Sequence, residues 1–416
     1  TRLQGDWSSD VCSSDLIRVN TFTGGTDIYG VGTTGGINLN NTTTGLGGGN
    51  GGIPEVNLYG GTLGLLFSNG TTGVNGTNGQ QFNNMVVRYG ADGTQGLTLN
   101  VRGPALINVN IATPSTNTGF GQGNIMTVGA MNLSNATLTF TGGNLYKFRA
   151  DGPIAIQGSQ AAFQTNSDGP SGTPELYGVI SGAGAITKLG DGQSRALVIA
   201  NPNNTYSGGT NIIGGDVQVL AKTGTALGTG VVRVFPDGSL RIAGPGSVNP
   251  DNLTVMSRAG AMGSVVLDNQ FVPTFLNSTN FSSVYNTALQ LAQPYWSTDL
   301  DMAAVGDGRA FLGTGFNGEV TYNAATLGAG VSDPWNPGVG VYRVAPGSSS
   351  FAFSGVNNVL TGLNYLQVGP QRQNSFGAIA NGGNILMIRN ANDFSGGTQI
   401  TRGTSIYIET GGRATG

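Results

Sequence analysis

A heptapeptide that occurs three times constrains this chain more than any other feature of its sequence. It reads Asn-Thr-Phe-Thr-Gly-Gly-Thr at 20–26, Asn-Thr-Tyr-Ser-Gly-Gly-Thr at 204–210 and Asn-Asp-Phe-Ser-Gly-Gly-Thr at 392–398. Recurrence of an Asn-x-aromatic-hydroxyl-Gly-Gly-Thr unit in a long polar chain is typical of repeat architectures. The heptapeptide therefore indicates how the chain is built, and it says much less about what the chain does.

The composition excludes several classes of function. Charged residues make up 9% of the chain, against roughly 25% in an ordinary soluble domain. The 18 basic and 21 acidic residues are scattered singly, so the electrostatic footprint of a nucleic-acid-binding protein is missing. The chain has no histidine, which removes the Ser-His-Asp triad and the commonest zinc ligand. We therefore expect no nucleic-acid partner, no cofactor and no bound metal.

Short alternating runs, broken by Gly and Asn, dominate the sequence after residue 17. Examples are the runs at 97–101, 107–111, 136–140, 217–219 and 240–242, in which apolar and polar residues alternate. Period-two alternation bounded by turn residues predicts half-buried β-strands of about 4–6 residues. No apolar run approaches the length of about 18 residues that a transmembrane helix requires.

Strands of this kind could form a sandwich, a barrel or a parallel β-helix. The even distribution of turns along 416 residues, the Gly, Asn and Thr corners and the capacity of Asn and Thr to form ladders between rungs favour the β-helix. At roughly 20–25 residues per coil, about 17–20 coils would form a rod of very roughly 80–95 Å. The predicted fold class is therefore all-β, as a solenoid.

One segment, 281–295, departs from the strand pattern. Ser282 could cap the start of a helix, Pro294 could end it, and Tyr285, Leu289 and Ala292 would then share a face. We predict a short helical or loop excursion there. The Gly-, Asn- and Thr-rich stretches 40–52 and 69–83 are predicted to be loops.

The first 16 residues need a separate interpretation. The run Asp-Trp-Ser-Ser-Asp-Val-Cys-Ser-Ser-Asp-Leu at 6–16 resembles the translation of a sequencing-library adapter. We interpret residues 1–16 as a sequence artefact, which also accounts for Cys12, the single cysteine. On this interpretation the natural N-terminus is missing, and the absence of a signal peptide is uninformative.

A longer stretch around the second heptapeptide resembles a known repeat. Residues 178–190 form a Gly-rich lead that ends in Thr187-Lys188-Leu189, a short strand follows at 196–200, and the heptapeptide leads into Gly-Gly-Asp-Val-Gln-Val at 214–219. This order is similar to the autotransporter-associated β-strand repeat. The resemblance is clearest over 178–242, with further copies near 20–29 and 385–412.

The resemblance implies a right-handed parallel β-helix in the passenger of an exported surface protein from a Gram-negative-type cell. In such proteins a separate barrel lies in the outer membrane, so residues 17–416 are expected to be a passenger-like region truncated at both ends. The residues that carry the repeat motif are Asn20, Phe22, Gly24, Gly25, Thr26, Lys188, Asn204, Tyr206, Gly208, Gly209, Thr210, Asn392, Phe394, Gly396, Gly397 and Thr398.

Three groups of residues in the sequence are candidate functional sites. The aromatic slot of the heptapeptide could stack on carbohydrate, but its place at the end of a strand favours packing. Asp299 and Asp301 could form a catalytic carboxylate pair of the kind that hydrolyses glycosides, although a solvated turn is the simpler interpretation. The Gly-Asp-Gly units at 190–192 and 306–308, and Gly-Ala-Asp-Gly at 90–93, are isolated, so turns are favoured over calcium sites. Lys188 is expected to lie on the surface.

These features favour a non-enzymatic surface protein, a secreted β-helical stalk or passenger segment with a structural or adhesive role. Its partners would be glycans, extracellular matrix or other copies of the chain. Two alternatives stay open. A polysaccharide-processing enzyme on the same scaffold would need two or three convergent carboxylates beside a Lys or Arg. A self-assembling filament subunit would associate end to end.

Overall fold

A computed structural model describes the chain at residues 26–29, 36–40, 55–67, 86–88, 96–111, 123–143, 145–166, 172–190, 196–258, 261–271, 287–315, 318–334, 337–347, 349–369, 385–400 and 404–409. These residues are almost entirely strand and turn. The chain divides into two compact units, Thr1–Gly178 and Val179–Gly416.

The first unit consists of short strands. Its described strands are β1 (Thr26–Ile28), β2 (Gly36–Asn40), β3 (Glu55–Leu58), β4 (Thr62–Phe67), β5 (Val86–Arg88), β6 (Thr98–Val101), β7 (Ala105–Ile111), β8 (Ile125–Val128), β9 (Met131–Leu133), β10 (Ala136–Gly142), β11 (Lys147–Ala150), β12 (Ile154–Ile156), β13 (Gln160–Thr165) and β14 (Thr173–Leu176).

These strands form three parallel sheets that the chain visits in rotation. Sheet A has the order β1-β3-β6-β9-β12, sheet B the order β2-β4-β7-β10-β13 and sheet C the order β5-β8-β11-β14. From β6 onward each circuit of the chain adds one strand to A, then to B, then to C. In sheet A, residues paired in register lie 32 positions apart between β6 and β9, as Asn100 and Asn132 do, and 23 positions apart between β9 and β12, as Met131 and Ile154 do. Parallel pairing of successive circuits is the feature that the solenoid prediction requires.

Period-two alternation explains which side chains fill the interior of the first unit. In sheet A, Val56, Leu99 and Met131 stack in register, and each is completely buried. Two residues further along each strand, Leu58, Val101 and Leu133 form a second buried column. Because side chains alternate across a strand, the residues between these columns face outward.

The second unit begins at Val179 and is also built of short strands. Its described strands are β15 (Ile180–Gly182), β16 (Ala185–Leu189), β17 (Leu197–Ile199), β18 (Thr210–Ile212), β19 (Gly215–Val219), β20 (Val232–Val234), β21 (Gly238–Ile242), β22 (Leu253–Val255), β23 (Ser257–Arg258), β24 (Ala261–Met262), β25 (Ser264–Leu267), β26 (Ala288–Leu291), β27 (Tyr295–Trp296), β28 (Leu300–Asp301), β29 (Phe311–Thr314), β30 (Val320–Tyr322), β31 (Leu327–Gly328), β32 (Val341–Ala345), β33 (Phe351–Phe353), β34 (Tyr365–Val368), β35 (Ile385–Ile388), β36 (Thr398–Ile400) and β37 (Ser405–Ile408).

The parallel strands of this unit follow three orders, which we call sheets D, E and F. Sheet D has the order β16-β18-β20-β22, sheet E the order β17-β19-β21-β25-β26-β29-β32-β34-β36 and sheet F the order β27-β30-β33-β35-β37. Strands β28 and β31 pair in parallel, whereas β23 and β24 form an antiparallel hairpin. Short 3-10 helices occur at Pro250–Asn252 and Met302–Ala304.

The structure confirms the all-β class and the long parallel sheets. It corrects the helical or loop excursion predicted at 281–295 for the part that it describes. Residues 281–286 lie outside the described ranges, but Ala288–Leu291 is strand β26, all four of its side chains are buried, and it pairs in parallel with β25 and β29. Leu289 lies in the core column of sheet E between Val265 and Leu312. The burial that these neighbouring strands offer outweighs a weak local helical pattern.

Candidate functional site at the repeat corners

The first residue of the second heptapeptide is a buried asparagine that joins neighbouring circuits of the chain. The Asn204 Oδ1 atom accepts a hydrogen bond of 2.8 Å from the backbone N–H of Ile180, 24 residues earlier. Its Nδ2 atom donates to the carbonyl of Ala226, 22 residues later, at 2.6 Å. One amide side chain therefore links three successive circuits.

The third heptapeptide repeats this arrangement on its N-terminal side. The Asn392 Oδ1 atom accepts a hydrogen bond of 3.0 Å from the backbone N–H of Leu360, 32 residues earlier. Its Nδ2 atom donates to the side chain and backbone carbonyl of Asn390, at 3.1 and 3.3 Å. Asn392 is 5% exposed and Asn204 is fully buried, so both amides depend on these internal partners.

The Gly-Gly pair is required by two different constraints. A Cβ atom on Gly208 would lie 2.3 Å from the carbonyl carbon of Gly184, and one on Gly396 would lie 2.5 Å from the carbonyl oxygen of Asn364. The second glycine of each pair has a positive φ, +87° in Gly209 and +90° in Gly397. The first glycine therefore permits close backbone approach, and the second permits the left-handed turn.

The aromatic slot of the heptapeptide lies in the core. Tyr206 and Phe394 are both fully buried. The Tyr206 hydroxyl and the Thr210 Oγ1 atom are hydrogen-bonded at 2.6 Å, and burial raises the pKa of the Tyr206 phenol. Phe394 packs edge-on against Tyr342, with ring centroids 6.5 Å apart. Neither ring is accessible for stacking on a carbohydrate, so the structure places this slot in the packing role.

The remaining motif residues are distributed differently. Thr210 is fully buried, whereas its counterpart Thr398 is exposed at the start of β36. In the first copy, Thr26 begins β1 and pairs with Val56. Four motif residues of that copy lie outside the described ranges: Asn20, Phe22, Gly24 and Gly25.

Lys188 lies in the interior, which corrects the expected surface position. Its side chain is fully buried in β16, and the Nζ atom donates a hydrogen bond of 2.5 Å to the carbonyl of Leu189. The sequence places Lys188 between Thr187 and Leu189, where alternation alone does not indicate burial. A buried ammonium needs hydrogen-bond acceptors at close range, and the last residue of β16 supplies this one.

Asp299 and Asp301 both bind backbone groups. The Asp299 Oδ1 atom accepts a hydrogen bond of 2.8 Å from the N–H of Thr326, and the Asp301 Oδ1 atom caps the helix Met302–Ala304 by accepting from Ala303 at 3.0 Å. Both carboxylates are exposed, and each holds a turn. This geometry is that of two turn-forming residues, and it lacks an enclosing site.

The Gly-Asp-Gly unit at 306–308 is also a turn. The Asp307 Oδ1 atom accepts from the N–H of Arg309 at 3.2 Å, and both glycines have positive φ. Within the described residues, no three His, Cys, Asp or Glu side chains converge as metal ligands. Residues 90–93 and 191–192 lie outside the described ranges.

Sequence reasoning missed an ion-pair cluster in sheet F. The Arg389 guanidinium binds both oxygens of Glu319 and, through Nε at 3.0 Å, Glu409. The Arg389 and Glu319 side chains are 28% and 32% exposed. These partners lie 70 and 20 residues from Arg389 in sequence, so no local pattern announces the cluster.

Two further groups of ion pairs each contain a buried carboxylate, Glu175 in the first and Asp333 in the second. Glu175 binds Lys147 at 3.0 Å and Arg149 at 2.6 Å, with only 5% of the Glu175 side chain exposed. Arg343 binds Asp333 at 2.5 Å and the carbonyl of Val331 at 3.0 Å. Removal of the basic partners would leave the buried carboxylate of Glu175 or Asp333 uncompensated.

Comparison with models of protein families, with curated proteins and with solved structures finds no match to this chain. Within the part of the chain that the structure describes, no helix has the length and apolar character needed to cross a bilayer.

Proposed function

We propose that this chain is a segment of an exported, cell-surface passenger of the autotransporter type, folded as a right-handed parallel β-helix, with a structural or adhesive role and no catalysis. The observation that carries the proposal is the asparagine contact of the heptapeptide. In both described copies the Asn Oδ1 atom accepts the N–H of a residue one circuit earlier, Ile180 for Asn204 and Leu360 for Asn392. The motif on which the family resemblance rests is thus a device for stacking coils.

Composition and geometry support display over chemistry. Charged residues are few. The candidate catalytic carboxylates, Asp299 and Asp301, each accept a backbone hydrogen bond that holds a turn. Hydrogen-bonded ladders of side chains between stacked circuits can stabilise a repetitive scaffold along its whole length. A scaffold of this kind presents surfaces and loops to partners outside the cell.

The polysaccharide-processing alternative has one observation in its favour. Glu319 and Glu409 converge on Arg389, which meets the requirement for two carboxylates beside a basic residue. Both carboxylates, however, share a single guanidinium, and a glycoside hydrolase needs one carboxylic acid and one carboxylate that act on opposite sides of a bound sugar. The arrangement fits a binding surface better than a catalytic pair.

Surface display tests the proposal. Residues 17–416 are joined to an export signal and to an unrelated outer-membrane anchor in a Gram-negative host, and cells that display the anchor alone serve as the control. We expect external protease to remove the chain from intact cells, and we expect displaying cells to be retained on glycan- or matrix-coated surfaces more than control cells. Turnover of a polysaccharide by the purified chain, abolished by Asp299→Asn or Asp301→Asn, would contradict the non-catalytic role.

A further inference from the structure

One outward column of sheet F ends in an exposed tyrosine on each side. Tyr295 pairs in register with Thr321, Thr321 with Ala352, Ala352 with Met387 and Met387 with Tyr407. Tyr295 is 66% exposed and Tyr407 is 60% exposed, whereas Thr321 and Ala352 are buried. We call this column the tyrosine strip. Its ends are four strand spacings apart, about 19 Å.

The centre of the tyrosine strip is covered by the Arg389 cluster. Arg389 Nη2 lies 3.1 Å from the Met387 sulfur and 3.1 Å from Glu319 Oε2. Glu319 Oε1 also accepts from the Thr321 hydroxyl at 3.2 Å. The guanidinium and its carboxylates therefore form a polar layer between the two tyrosines, and the cluster of one arginine and two glutamates carries a formal charge of −1.

Both ends of the tyrosine strip are held in place. The backbone carbonyl of Tyr295 accepts a hydrogen bond of 2.9 Å from Gln270 Nε2, and Gln270 Oε1 accepts from the N–H and the hydroxyl of Ser297 at 2.8 and 2.6 Å. At the other end, Glu409 follows Tyr407 by two residues and binds Arg389. Fixing the backbone that carries an aromatic side chain lowers the entropy lost when a ligand binds.

We propose that the tyrosine strip is a binding site for an extended neutral polysaccharide. Sugar rings present flat C–H faces that pack on tyrosine rings, and sugar hydroxyls can bond the partly exposed oxygens of Glu319 and Glu409 and the guanidinium between them. The inference deepens the proposed adhesive function, on which it rests, by naming the class of partner.

Other occupants fit this surface less well. A protein interface needs a contiguous desolvated core around its aromatic anchors, and here Tyr295 and Tyr407 are separated by a charged layer. An acidic polysaccharide would meet the two carboxylates of Glu319 and Glu409 with a single arginine to offset them. A neutral polysaccharide, which is rich in hydroxyls and uncharged, matches both the two tyrosine rings and the polar layer between them.

Affinity electrophoresis of the purified chain in gels that contain a soluble neutral β-glucan tests the proposal. We expect the glucan to retard the chain, Tyr295→Ala and Tyr407→Ala each to weaken binding about tenfold, and the double variant to lose retardation. Tyr407→Trp should retain binding because it preserves an aromatic face. Tyr29→Ala is the matched control, since Tyr29 is 67% exposed in the first unit and lies outside the strip.

Unchanged retardation of the double variant would overturn the assignment of the tyrosine strip as the binding site. Retardation of the chain by polygalacturonate but not by the neutral glucan would overturn it too. Release of sugar products that Glu319→Gln abolishes would also overturn it, in favour of an enzyme. Failure of this site is distinguishable from failure of the proposed function. If displayed cells still adhere when both tyrosines are replaced, only the proposal for the tyrosine strip is contradicted. If the purified chain binds glucan but never reaches the cell surface, only the proposed export role is contradicted.

Discussion

Asn204 shows why asparagine opens each heptapeptide. An amide side chain carries its donor and its acceptor on separate atoms, and Asn204 uses its acceptor on the earlier circuit and its donor on the later one. Aspartate has no N–H donor, and an aliphatic residue would leave the N–H of Ile180 and the carbonyl of Ala226 without their partner. Such a residue can be recognised in the sequence by its recurrence, but its partners are visible only in the folded chain.

Replacement of Asn204 by Ala is therefore expected to destabilise the second unit by about 2–4 kcal/mol, since it leaves a buried N–H and a buried carbonyl unpaired. The neighbouring Asn203 is exposed, and Asn203→Ala should cost less than about 0.5 kcal/mol. Urea unfolding measures the difference, and amide hydrogen exchange at Ile180 locates it. Equal stability of the two variants would show that the asparagine contact contributes nothing.

At the scale of elements, sheet A carries a side-chain ladder that crosses four strands. Asn57 Nδ2 donates to Asp27 Oδ1 at 2.8 Å, Asn100 Nδ2 to Asn57 Oδ1 at 2.8 Å, and Asn132 Nδ2 to Asn100 Oδ1 at 2.7 Å. Parallel in-register pairing places these side chains at the spacing of adjacent strands, which an amide can bridge. The sequence predicted that Asn could form such ladders, and the register decided which Asn residues do.

The ladder predicts an order of stability among three variants of the first unit. Asp27→Asn should stay close to the wild type, because an amide oxygen can accept from Asn57 as the carboxylate does. Asn57→Ala should cost about 1–2 kcal/mol by removing two hydrogen bonds. Asn57→Asp should be the least stable, since it places a second carboxylate beside Asp27 and loses the donor. Denaturation midpoints test this order, and wild-type stability of Asn57→Asp would refute the ladder.

At the scale of the whole molecule, the chain lacks the group that usually makes stability depend on pH near neutrality. It has no histidine. Its strongly shifted groups are instead tyrosines: burial raises the pKa of the Tyr206 and Tyr322 phenols, and also that of Tyr146, above the ordinary value of 10.0. A raised pKa in the folded state means that the unfolded chain releases the proton first as pH rises.

Because no histidine titrates between about pH 6 and about pH 8, the free energy of unfolding should be nearly constant there. It should fall above about pH 10, where the tyrosines of the unfolded chain ionise before those of the folded chain. Each buried tyrosine contributes a slope of about 1 kcal/mol per pH unit there. Tyr206→Phe should reduce this slope, and the fold accepts Phe at the equivalent position, Phe394. Denaturation midpoints across the alkaline range test the prediction, and a flat profile above pH 10 would contradict it.

The proposed export role, the proposed handedness and the family resemblance all rest on the repeat motif. The described circuits show how the motif operates within the second unit. The tyrosine strip adds a surface that no repeat residue forms, because Tyr295, Glu319, Arg389 and Tyr407 belong to four different strands or turns.

Local patterns in the sequence alone determined the strands and the corners of this protein. Alternation predicted strands such as β6, β10 and β21 because one face of each is buried, and the Gly-Gly pairs marked turns that need positive φ or close backbone contact. Only the tertiary structure decided the burial of Lys188, the strand at Ala288–Leu291 and the pairing of Arg389 with Glu319. The physical reason is that each of these depends on which residues the neighbouring circuits bring alongside, up to 70 positions away, and a local sequence pattern carries no record of that register.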